Sequence, residues 1–158
     1  MKKNSKPPPD EQFVALRFPM MKSQAWRAMS TSARIYYLQL KSGWFEKPKN
    51  NNGEIFISQR DAEEAIGLTR PTIAKCHDEL IHYGFIVETN PGCLGVDGKG
   101  RAPHLRLTEL DTTDKPATKD YLRWNGKRFR PRQGPAPGSS RKPRKTKPRL
   151  NNLATLAN

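Results

Sequence analysis

Apolar and polar positions between residues 13 and 110 fall into short blocks set off by capping and turn residues. Ser23 is placed to cap a short helix through Met29, with Trp26 as its buried anchor. Ser30 caps a second helix over about 31–43, whose Ile35 and Leu38, and less regularly Tyr36, Tyr37 and Leu40, predict a helix largely covered by neighbours. Pro48, Asn50, Asn51, Asn52 and Gly53 predict an exposed loop. Glu54-Ile55-Phe56-Ile57 reads as a short strand, and Ser58 as the cap of a helix from Gln59 to Ile66. Gly67 ends that helix in the left-handed conformation open to glycine. Thr69 then caps a helix to about Tyr83, with Pro71 in the first turn, where its missing N–H costs nothing. Gly84 closes it. Phe85–Thr89 and Arg101–Leu107 predict a hairpin, with His104, Arg106 and Thr108 alternating against Leu105 and Leu107. The expected class is mostly α with a small β-hairpin.

Charge divides the chain unequally. Of 158 residues, 29 are Lys or Arg and 15 Asp or Glu, a formal charge of +14. Residues 1–120 hold 18 of the cations and all 15 acids; residues 121–158 hold 11 cations and no acid. That tail also carries Pro131, Pro135, Pro137, Pro143 and Pro148, and such a composition buries too little apolar surface to offset chain entropy. The reading is an N-terminal arm over 1–12, a folded domain over 13–126 and a basic disordered tail over 127–158. Leucines at 150, 153 and 156 mark a short segment able to form a helix on a partner. An excess of this size points to an acidic partner, with nucleic acid, an anionic membrane face and an acidic protein as the candidates.

Cys76 and Cys93 form no C-x-x-C pair, and no apolar segment follows the basic N-terminus, so the expectation is a cytoplasmic protein with free thiols and no membrane span. The glycines at 92, 95, 98 and 100 miss the spacing of a phosphate-binding loop. Cys76, His77, His82, Cys93 and His104 match no four-ligand zinc pattern. Neither a cofactor, a metal nor an enzymatic activity is therefore expected.

The informative core runs from Ile57 to Leu80. Ala62 and Ala65 are small enough to let two helices approach, and Ile66, Leu68, Ile73 and Leu80 supply the contacts between them. Gly67-Leu-Thr-Arg-Pro-Thr-Ile73, with Leu80 and Gly84-Phe-Ile86, resembles the turn, recognition helix and first wing strand of the bacterial winged-helix regulators. The resemblance covers about 55–108; the flanking helices over 22–43 fit it less specifically. There is a weaker similarity to small helix-turn-helix proteins carried by plasmids and mobile elements of soil bacteria.

The resemblance implies a winged helix-turn-helix whose recognition helix enters the major groove N-terminal end first. Arg70, Thr72 and Lys75 would face the DNA there, with Thr69 at the cap. Ser58 and Gln59 would bind phosphate from the preceding helix. The wing spans 90–103, with Lys99 and Arg101 at or after its tip. Lys127, Arg128, Arg130 and Arg132 head the tail's phosphate contacts. The competing reading makes Arg70, Thr72 and Lys75 a solvated polar face and the wing an ordinary hairpin.

His77 stands where the family commonly has an apolar residue, usually Leu, and is expected to be packed and hydrogen-bonded. Asp78 and Glu79 put acid in mid-helix, so DNA contact should fade beyond Lys75. Tyr121 and Trp124 are expected to fold back onto the domain. The function implied is sequence-specific binding of double-stranded DNA, as in transcriptional regulation. The rivals are a replication or partition initiator, a protein-interaction adaptor and an RNA-binding protein. A homodimer and a protein held by the tail are the further partners considered.

Overall fold

The computed structural model describes residues 13–44, 49–92 and 100–131. Among these residues five helices precede one two-stranded sheet: α1 (Phe18–Lys22), α2 (Gln24–Ala28), α3 (Thr31–Ser42), α4 (Gln59–Ile66), α5 (Arg70–His82), β1 (Ile86–Asn90) and β2 (His104–Leu107), followed by a 3-10 turn at Asp120–Arg123. The architecture is thus mostly helical with a small antiparallel hairpin. None of the helices among the described residues is long and apolar enough to cross a membrane.

Serine hydroxyls set the helix starts. Ser23, Ser30 and Ser58 each accept the backbone N–H three residues on, from Trp26, Ala33 and Asp61. Helix α1, with Pro19 in its first turn, lies ahead of the first expected helix; Ser23 ends it and caps α2 as expected. Helix α4 ends at Gly67, at φ +68°. Thr69 occupies the cap position of α5, but its hydroxyl makes no cap bond; it meets the Thr72 hydroxyl at 2.9 Å instead.

The strand expected at 54–57 shrinks to one bridge, Ile55 to Leu105, because the chain must turn out at exposed Phe56 to start α4. The hairpin pairs Ile86 with Leu107 and Glu88 with Leu105, and an irregularity between Glu88 and Asn90 shortens β2 to His104–Leu107.

Helices α3, α4 and α5 pack on one another, and α5 on β1. Trp26, Tyr37, Phe85 and Tyr121 form the centre. Tyr37 and Phe85 stand edge to face at 5.6 Å, and Phe85 and Tyr121 lie parallel at 4.9 Å. Such pairs add about 0.5–1.5 kcal/mol each beyond the area they bury. Ile35 is exposed, contrary to expectation; Ala33, Tyr36, Tyr37 and Leu40 make the inner face of α3. Ala65 is exposed too, so Ala62 alone lets α4 approach α5.

Polar groups buried at long sequence separation tie the layers together. Asn52, expected in an exposed loop, is buried and pins β2: it accepts from Leu107 N at 2.7 Å and donates to the Leu107 and Leu110 carbonyls. Thr108 is buried rather than outward, donating to the Gly84 carbonyl at 2.7 Å. Glu109 accepts from Lys41 and from the Tyr37 hydroxyl, all inside the protein, and its second oxygen has no hydrogen bond among the described residues. Burial, then the Glu109 charge, pushes the Tyr37 hydroxyl well above the usual range.

Candidate nucleic-acid interface

The amino end of α5 projects from the domain because its opposite face is committed. Ile73, Cys76, Glu79 and Leu80 are buried, while Arg70, Pro71 and Lys75 are exposed. Gly67 permits the tight corner that brings α4 alongside. Arg70 is not free: its Nε donates to Glu63 of α4 at 2.9 Å. With side chains 56 % and 41 % exposed, that pair contributes at most about 1 kcal/mol and can open for another anion. Lys75 has no ion pair among the described residues.

The second half of α5 carries scaffold chemistry. Glu79 does not confront the solvent as a mid-helix acid. It is buried, and its two oxygens accept from the Ser30 N–H at 2.6 Å and the Ser30 hydroxyl at 2.7 Å. A carboxylate from α5 thus caps α3, where the helix dipole favours negative charge. His77 is packed and hydrogen-bonded as expected, its side chain 15 % exposed. It bonds Glu88 of β1 at 2.8 Å and lies 6.4 Å from the Tyr36 ring. Burial, with the Glu79 charge second, pushes the Cys76 thiol up to about 11 and makes it a poor nucleophile.

The remaining sequence candidates divide clearly. The Ser58 hydroxyl is spent on its own cap. Gln59 is exposed one residue on. Arg101 is exposed at the approach to β2, close against Gly92, where an added Cβ would lie 2.7 Å from the Arg101 carbonyl oxygen. Lys99 and Arg132, and the leucines at 150–156, lie outside the described residues.

Lys127, Arg128 and Arg130 lie not in a loose tail but on a strap, residues 124–131, held along α5. The Lys127 carbonyl accepts from Trp124 Nε1 at 3.0 Å and meets His82 Nε2 at 2.6 Å. Phe129 donates its N–H to the Tyr83 hydroxyl at 3.2 Å, and its ring packs on His82 at 5.6 Å. Tyr83 in turn donates to the Ala28 carbonyl and packs on Trp124. Trp124 and Phe129 face inward and half-buried, while Lys127, Arg128 and Arg130 are exposed. The folded part therefore reaches Pro131, beyond the boundary expected at 126. Tyr121 and Trp124 fold back onto the domain as expected, whereas the continuation to Phe129 was missed because the Pro- and Arg-rich composition outweighed that one aromatic anchor.

No family of known proteins, curated protein or solved structure matches this chain.

Proposed function

We propose that this chain is a winged-helix protein that binds double-stranded DNA sequence-specifically, with α5 as the recognition helix and transcriptional regulation as its role. The observation that carries the reading is the amino end of α5. It presents exposed Arg70 and Lys75 beyond a glycine corner, while the far side of the same helix is fastened to α3 and β1. Helix α4 and the β1–β2 hairpin flank it in the order that the fold requires. Arg70 has the planar fork to pair with a guanine edge once Glu63 is released, and Lys75, nearly a turn and a half further along, reaches base or phosphate.

Selection of bound duplexes from a random-sequence pool tests the reading. A defined consensus is expected. Arg70→Ala should cost about 1–3 kcal/mol on that consensus and relax preference at one position. Recovery of no consensus, with equal affinity for every duplex, would remove the recognition role.

A further inference from the structure

On one side of the strap, between it and the start of α3, lies an open notch of about 410 Å³. Lys75 and Arg128 line it, with Ser30, Ser32 and Thr72 among mostly apolar neighbours. Glu79 is the one carboxylate there, and both its oxygens are bonded to Ser30. Neither Lys75 nor Arg128 has an ion pair among the described residues. Two positive charges therefore share a largely apolar hollow next to the exposed end of α5, where the one carboxylate is already committed. At the start of α3, Glu79 and the Ser30 hydroxyl already take the N–H groups of Ser30 and Ala33. The groove on the other side of the strap is larger, about 800 Å³, and there Asp78 and Glu88 offset much of the charge of Lys127, Arg128 and Arg130.

We propose that this notch seats a backbone phosphate of the bound duplex, held by Lys75 and Arg128 together, with Phe129 as the positioning residue that holds Arg128 in place. The proposal rests on the DNA-binding reading and extends it, since the contact belongs to an ordered clamp and not to a loose polycation. Phe129 is the pivot. Its ring on His82 and its N–H on the Tyr83 hydroxyl fix the backbone between Arg128 and Arg130. Holding Arg128 at its post before DNA arrives removes part of the ordering cost of binding.

The test uses the full chain, a duplex selected by it and an unrelated duplex of equal length, with affinity read by fluorescence anisotropy across a salt series. Lys75→Gln, Arg128→Gln, the double variant and Phe129→Ala are compared with the parent. Each phosphate contact contributes a slope of ~0.9, so loss of one shrinks the affinity ratio between about 50 and about 200 mM salt by ~3.5-fold. Arg128→Gln should flatten the slope on both duplexes. The double variant should lose less than the two single losses combined, because both side chains hold one phosphate. Phe129→Ala keeps every charge yet should weaken both duplexes by about 2- to 10-fold. If the parent binds neither duplex, the DNA reading itself fails. If the parent binds and the Gln variants keep its slope, the notch alone is overturned. Strict additivity of Lys75→Gln and Arg128→Gln overturns the shared phosphate, and does so whether or not Phe129→Ala folds. A folded Phe129→Ala with parental affinity overturns the positioning role.

Discussion

Lys41→Met is the sharpest probe of how this domain holds together. Lys41 and Glu109 form an ion pair whose side chains are 5 % and 0 % exposed, and Tyr37 adds a hydrogen bond of 2.8 Å to the same carboxylate oxygen. Methionine fills nearly the volume of the lysine stem, so packing changes little. What changes is that Glu109 stays buried with one neutral donor. Removing one partner from a buried pair costs about 3–5 kcal/mol, several times the value of an exposed pair. Against a total stability of roughly 5–15 kcal/mol, the loss is a large fraction. For a domain of this size it should lower Tm by about 12–20 °C. Urea unfolding followed by circular dichroism measures it directly. The companion Lys41→Met/Glu109→Leu variant, which removes the stranded charge, should regain much of the loss. A single variant within about 1 kcal/mol of the parent, or a double variant no better than the single, would show that the pair is not held in a dry interior.

Two further outcomes follow from the same geometry. An added Cβ at Gly84 would lie 2.9 Å from the Asp120 carbonyl carbon, whereas at Gly67 it would meet nothing within 4 Å, although both have positive φ. Gly67→Ala should therefore cost about 1–2 kcal/mol of backbone strain, and Gly84→Ala clearly more, in the same unfolding assay; equal costs would contradict the close crossing at Gly84. Burial, then the nearby Cys76, pushes the Tyr36 hydroxyl from 10.0 up to about 12, and the Cys76 thiol rises from 9.0 to about 11. Both groups keep protons in the folded state that the unfolded chain releases at the lower values. Their stability contribution is thus complete below about pH 9 and is lost as pH rises through the window to about 12. Unfolding free energy should fall across that window, less so at its lower end in Cys76→Ala. A flat profile from about pH 8 to about pH 11 would contradict the burial of both groups.

Local chemistry made much of the scaffold legible. Ser23, Ser30 and Ser58 announce helix starts through interactions with the third residue on, and Gly67 announces a stop through its own backbone freedom. The inward-facing Leu105 and Leu107 obey the two-residue period of a strand. Less visible were groups whose partners lie far along the chain. Glu109 meets Tyr37, Asn52 meets Leu107, and Glu79 meets Ser30, each across some fifty residues or more. Nothing in the neighbouring residues distinguishes those side chains from solvated ones. In the candidate interface, Arg70 and Lys75 follow from helix phase, but the Glu63 partner of Arg70 and the notch beside Arg128 come from packing between elements.

The carboxylate of Glu79 has a mechanical consequence. Because it closes the first turn of α3 from within α5, tilting or sliding α5 would tear open the start of its neighbour. The two helices are geared, and α5 meets any partner at a set inclination. On the proposed reading, accommodation then falls to the duplex, and sites whose base steps bend readily should be preferred even at positions no side chain touches.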